Sequence, residues 1–182
     1  MIVLLLGAPG AGKGTQAVLL ARSLGLMHIA TGDMFRSEAK AGTELGKLAN
    51  SYMLRGDLVP DDITIRMLQA RLKSPEASKG AVLDGFPRTV AQASALDSGL
   101  AKSGARVDRA IYLVVVEDEL VRRMAGRGRA DDTPEAIRHR LEVYRKQTEP
   151  VLAHYRKAGR MTEVSGEGAV DEIQKRLVAA AA

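Results

Sequence analysis

The chain has 182 residues, 46% of them hydrophobic and 27% charged, which suits one compact domain with a real core. Cysteine and tryptophan are absent and aromatics make up only 3%; this excludes disulfides and cysteine-ligated zinc, and leaves little from which to build a stacking platform for single-stranded nucleic acid. The formal net charge of +5 suits an anionic ligand, and several of the arginines fall in glycine-punctuated motifs rather than along one basic stripe. The apolar start from Met1 to Leu6 is too short for a signal peptide, and no later stretch approaches a membrane span. A cysteine-free chain of this kind fits a cytoplasmic protein with neither membrane nor nucleic-acid partners.

In chain order, Ile2 to Leu6 is a continuous apolar run, the pattern of a strand buried on both faces. A helix follows from Lys13 to Leu24, with Ala17, Leu20, Ala21 and Leu24 on one face and Gly25 as its stop. Leu26 to Ala30 reads as a short second strand. Thr31 to Gly56 reads as two polar helices broken near Gly42, and Asp61 opens another helix to Lys73. Ala81 to Leu83 is a third strand, a helix spans Thr89 to Lys102, and Ala110 to Val116 is a fourth strand. Glu117 to Ala125 is helical up to the glycine-arginine run at Gly126. Thr133 is an N-cap with Pro134 at the first helical position, and Pro150 should bend or interrupt the helix that starts there. Met161 to Val164 is a fifth strand, and a helix from Asp171 to Val178 ends in an alanine tail expected to fray. Alternating strands and helices predict an α/β fold: a three-layer αβα sandwich of the P-loop NTPase type on a five-stranded parallel sheet, with ligands at the carboxyl ends of the strands. Residues 1–182 read as one domain, with an insertion over residues 30–59 and a short lid over residues 126–132.

Gly7-Ala8-Pro9-Gly10-Ala11-Gly12-Lys13 follows a strand and opens a helix, the context a phosphate-binding loop requires. Glycines let backbone N–H groups converge on phosphate oxygens, the helix N-terminus adds partial positive charge, and Lys13 adds a full one. The hydroxyl usual right after the lysine is replaced by Gly14 and arrives one position late as Thr15. That shifts the expected Mg²⁺ contact toward water and toward Asp84, the carboxylate that ends the third strand. Arg88, Arg123, Arg127, Arg129 and Arg140 lie in or beside loops at element ends, where guanidinium forks suit a transferred phosphoryl group. Taken singly, each arginine could equally be a solvated surface residue; the set around Gly126 and Gly128 reads better as a loop that grips phosphates. No histidine sits in a motif. A phosphate acceptor needs no general base, because it is already a nucleophile near neutral pH.

The blocks GAPGAGKGTQ from Gly7, TGDMFR from Thr31, GDLVPD from Gly56, DGFPR from Asp84, GRGRADD from Gly126 and the helix from Arg138 to Pro150 stand in one order across the chain. In this they resemble the nucleoside monophosphate kinases, and specifically the adenylate kinase family in its short-lid form. The resemblance implies reversible transfer from Mg·ATP to AMP, giving two ADP. It implies an ATP site on Gly10, Ala11, Gly12, Lys13, Gly14 and Thr15, with Arg123, Arg127 and Gly166. It implies an AMP site on Thr31, Arg36, Asp57, Leu58, Val59, Gly85, Phe86, Pro87, Arg88 and Gln92, with Arg129 and Arg140 joining both phosphate chains. Lys13, Arg88, Arg123, Arg127, Arg129 and Arg140 become the catalytic cations, Mg²⁺ the cofactor beside Asp84, and structural zinc is not expected. A monomer and a cis peptide at Phe86-Pro87 belong to the same expectation. Two other readings stay open: a kinase for UMP, CMP or another monophosphate, against which Thr31 and Gln92 speak, and a non-catalytic nucleotide sensor.

Overall fold

The structure is a computed structural model and describes residues 1–126, 128–129 and 132–182. Five strands pair in the order β2-β3-β1-β4-β5, and every pairing is parallel. They are β1 (Ile2–Gly7), β2 (Met27–Ala30), β3 (Ala81–Asp84), β4 (Arg109–Val114) and β5 (Met161–Ser165). The helices are α1 (Lys13–Leu24), α2 (Thr31–Lys40), α3 (Glu44–Arg55), α4 (Asp61–Leu72), α5 (Val90–Ala101), α6 (Glu117–Ala125), α7 (Pro134–Val143), α8 (Glu149–Lys157) and α9 (Val170–Ala181).

Strand alternation divides the core into two layers. Val3 and Leu5 of β1 face one side with Leu20 of α1, Met124 of α6 and Leu177 of α9. Ile2, Leu4 and Leu6 face the other with Leu96 of α5 and Leu68 of α4. β1 is buried along its whole length, as its unbroken apolar run predicts. A third, smaller cluster of Phe35, Ala49 and Val59 belongs to the stretch carrying α2 and α3. Its closest helix contact depends on Gly46, where a Cβ would stand 2.2 Å from the Glu38 backbone.

The structure departs from the sequence expectation at the end of β4 and in the alanine tail. β4 ends at Val114 rather than Val116, because its partner β5 pairs no further than Ser165, and Val116 stands exposed at the start of α6. Pro150 does interrupt its helix, through a π-helical turn, Tyr144–Thr148, which lets α8 restart with the proline in its first turn, where its missing N–H costs nothing. The alanine tail does not fray: α9 runs to Ala181, which is fully buried against the core. Ala181→Asp therefore puts an unpaired carboxylate into an apolar layer and should cost at least about 2 kcal/mol in urea unfolding. A frayed tail would leave the stability unchanged within about 0.5 kcal/mol.

Candidate active site

The site lies where β1 and β3 end side by side, with Leu5 in register with Asp84. Beyond β1 the chain turns through Gly10 (φ 87°) and Gly12 (φ 91°), both in the left-handed region. The tight fit is at Gly10, where a Cβ would stand 2.5 Å from the carbonyl oxygen of Leu120. Gly12 caps α1 without any side-chain bond, so the first N–H groups of the helix open into the cleft. Lys13 Nζ folds back and donates to Ala8 O at 2.9 Å.

This loop forms one wall of a cavity of about 640 Å³. Gly10, Gly12, Lys13, Gly14 and Thr15 line it from the β1 side. Asp84, Gly85, Phe86, Pro87 and Arg88 line it from β3, and Arg36, Asp57 and Leu58 from the opposite wall, with Arg123, Arg129 and Arg140 around the rim. The Phe86-Pro87 peptide is cis. Gly85 (φ 72°) sits in the left-handed region that favours glycine, and a Cβ there would also press on the Arg88 guanidinium at 2.9 Å. Its carbonyl accepts from Thr31 Oγ1 at 2.9 Å and from Arg88 Nε at 2.8 Å. Arg123 donates to Ala11 O and to Gly166 O, which ties the loop to the end of β5. Glu119 holds the same guanidinium at 2.6 Å. Arg140 donates to Asp132 Oδ1 at 2.7 Å and to Met53 O at 3.2 Å. Arg36 pairs with Asp33 on its own helix.

Six cationic side chains thus face one cavity against the carboxylates of Asp33, Asp57 and Asp84. Burial works against the charge on Asp84, but the His28 ring, Lys13 and Arg88 outweigh it and hold the carboxyl below the usual aspartate range. His28 Nε2 stands 3.9 Å from Asp84 Oδ2, too far for a direct hydrogen bond. Enclosure in the cleft lowers the pKa of Arg88; Asp84 opposes that, and Arg140, Arg36 and Arg129 add to it. Arginine stays protonated even so, and the effect is a site short of negative charge.

The adenylate kinase family profile matches residues 5–160 of this chain. The adenylate kinase of Nocardia farcinica is 52% identical over 180 residues, covering 99% of this chain and 98% of that protein. Those of Stenotrophomonas maltophilia strain K279a and Thermobifida fusca are 53% and 49% identical over 184 residues, covering 99% of this chain and 98% and 97% of theirs. The chain belongs to the adenylate kinase family.

Not every residue that the family resemblance points to reaches the cavity wall. Thr31, Val59 and Gln92 are buried beneath it, Val59 within the small cluster of the α2–α3 stretch. Gln92 spends its amide inside the protein: Oε1 accepts from Arg88 N at 2.7 Å and Nε2 donates to Asp61 Oδ1 at 2.7 Å. Ala11 and Gly166 meet the site through their carbonyls on Arg123. Gly166 also packs tightly, since a Cβ there would stand 2.6 Å from Val115 Cγ2. Arg127 lies outside the described residues, as do residues 130 and 131 of the expected lid.

Sequence reasoning did not single out Asp33, Met53, Val143, Tyr144 and Thr148, which also line the cavity, nor the polar residues that support its wall. His28 flanks Asp84, Asp61 holds Gln92, Asp132 pairs with Arg140, and His139 Nε2 stands 2.7 Å from Asp57 Oδ1. Asp61 and Asp132 fall inside the recognised blocks and could have been flagged there; the two histidines act across elements, and no local pattern marks them. Among the described residues no group of three or more His, Cys, Asp or Glu side chains could hold a metal alone. An ionised Asp84 facing a phosphate loop, so near that a Cβ on Gly14 would stand 3.6 Å from its Oδ2, fits a cation carried in by phosphate oxygens. Gly10→Ala should lower Mg·ATP affinity at least about tenfold by calorimetry, because the loop must move to admit the Cβ. Gly42→Ala, with nothing within 4 Å of its Cβ, serves as the control and should leave that affinity unchanged.

Proposed function

We propose that this cavity transfers the γ-phosphoryl group of Mg·ATP reversibly to AMP, giving two ADP and balancing the adenine nucleotide pool. The observation that carries the reading is the convergence of Lys13, Arg36, Arg88, Arg123, Arg129 and Arg140 on one cavity from two facing walls. One triphosphate does not need two phosphate-binding walls; two nucleotides meeting phosphate to phosphate do. ATP lies on residues 10–15, with Arg123, Arg127 and Gly166 beside it. AMP lies against Arg36, the backbone of residues 57 and 58, Gly85, Phe86, Pro87 and Arg88, with Thr31, Val59 and Gln92 shaping its pocket from behind.

A phosphate oxygen of AMP attacks the γ-phosphorus, and the bond from that phosphorus to the oxygen it shares with the β-phosphate breaks. The two electrons of that bond leave with ADP. No proton has to move, which suits a site whose histidines turn to Asp84 and Asp57 rather than to the acceptor. Lys13, Arg88, Arg129 and Arg140 offset charge spreading over the transferred group, a contribution of roughly 10³–10⁵ in rate from one arginine in related NTPases. Asp84 is the residue that would hold Mg²⁺, by way of water, and the ion would offset phosphate charge. Residues 30–59 and 126–132 work as flaps on the single domain, and their closure keeps water from the γ-phosphorus. The protein acts as a cytoplasmic monomer on free nucleotides, without nucleic-acid or membrane partners. Among the described residues no helix is long and apolar enough to cross a membrane.

Purified protein offered AMP, CMP, UMP or GMP with Mg·ATP should form ADP fastest with AMP, and excess chelator should stop it. Faster turnover with a pyrimidine monophosphate would assign a different acceptor, and absence of turnover with all four would leave a nucleotide sensor. Arg88→Ala should lower kcat by about 10³-fold while ATP affinity stays within about threefold; near-normal turnover would remove Arg88 from the catalytic set.

A further inference from the structure

The geometry points to His139 as a positioning residue for the monophosphate side of the site, acting through Asp57 on the turn over residues 56–59. The functional consequence rests on the AMP site proposed above; the structural one does not.

α3 ends at Arg55, and Gly56 turns the chain in a left-handed conformation (φ 83°) onto α7. The approach is close: a Cβ on Gly56 would stand 3.0 Å from Ala136 O and 3.1 Å from Arg140 Cγ. Two consecutive residues of α7 then hold the end of α3. Arg140 Nη2 donates to Met53 O at 3.2 Å, and His139 Nε2 meets Asp57 Oδ1 at 2.7 Å. The other Asp57 oxygen accepts from Arg55 Nε at 3.0 Å. The His139 hydrogen bond first, and then that of Arg55, hold the Asp57 carboxyl below the usual aspartate range.

The three contacts are not equivalent. Arg55 sits on the same stretch as Asp57, so their pair moves with the turn and anchors it to nothing. Arg140 belongs to the cavity's cationic rim, so any change there alters the phosphate environment as well. His139 alone comes from α7, stays off the cavity wall and reaches the turn by a side chain. Gly56, Asp57 and Leu58 do line the cavity. A turn already held in place spares AMP the entropy of ordering it. The pair is partly open to solvent, at 44% and 34% side-chain exposure, which limits its strength.

The test uses His139→Ala, His139→Gln and Asp57→Ala in the full chain. In nucleotide-free protein the amides of Gly56 and Asp57, which donate to Met53 O and Tyr52 O, should exchange about three- to tenfold faster in His139→Ala. His139→Gln, which can still offer an N–H to Asp57, should exchange near the wild-type rate, and β1 amides should be unchanged in both. In turnover, His139→Ala should raise KM for AMP by the same factor while KM for ATP and kcat stay within about twofold. Asp57→Ala, which removes the acceptor, should give a similar rise, and the double variant with His139→Ala no more than either. Unchanged exchange at Gly56 and Asp57, or an equal rise in both KM values, would overturn the assignment. If the wild-type protein shows no AMP-dependent turnover, the proposed reaction fails, and the exchange experiment still decides whether His139 holds the turn.

Discussion

Like charges crowded around one cavity are the constraint on which the rest of this structure turns. Arg88 stands among Arg36, Arg129 and Arg140 with a single strand-end carboxylate, Asp84, to offset them. Such a cluster resists folding unless each cation is held by something. The protein answers largely with backbone. Ala8 O takes Lys13, Gly85 O takes Arg88, Ala11 O and Gly166 O take Arg123, and Met53 O takes Arg140. Carbonyls are neutral acceptors, so they orient the cations without cancelling their charge. The carboxylates that do pair with them, on Asp33, Glu119 and Asp132, grip from beside the cluster. The result is a set of donors aimed before any phosphate arrives, which is the arrangement electrostatic catalysis requires.

That aim depends on the sheet. Placing β3 next to β1 in parallel register puts the phosphate loop and the Asp84-to-Arg88 segment at one edge. Both segments turn away from their strands through glycines in the left-handed region. A Cβ on Gly10 would meet the backbone at Leu120 O, and one on Gly85 would press on the Arg88 guanidinium. The α2–α3 stretch, with its own small core, supplies the facing wall and leans on α7 through Gly56, Asp57 and Arg140. α7 therefore touches both the lid base, at Asp132, and the opposite wall, at Met53, through one arginine.

Much of this was legible in the chain itself. β1 announced itself by an unbroken apolar run, α1 by the loop before it and Gly25 after it, and the phosphate loop by its spacing between the two. The recognised blocks placed Asp84, Arg88 and Arg140 in the site, the first two because a glycine or strand end beside a charged residue is a local pattern; Arg140, inside α7, followed from the resemblance alone. What escaped was set by partners far away in sequence. His28 acquires meaning only once β2 lies beside β3, and His139 only once α3 ends against α7. The buried state of Thr31 and Gln92 escaped as well, since their acceptors, Gly85 O and Asp61, lie 54 and 31 residues away. The chain end misled for a related reason: alanines look frayed until a helix packs them against a core, as it does Ala181.

In the proposed reaction one cavity holds two nucleotides at once, with their phosphates meeting. Calorimetric titration of AMP into protein already saturated with Mg²⁺ and a non-hydrolysable ATP analogue tests this. AMP should still bind, one molecule per chain, with the analogue retained. Displacement of the analogue by AMP, or no second binding event, would contradict it.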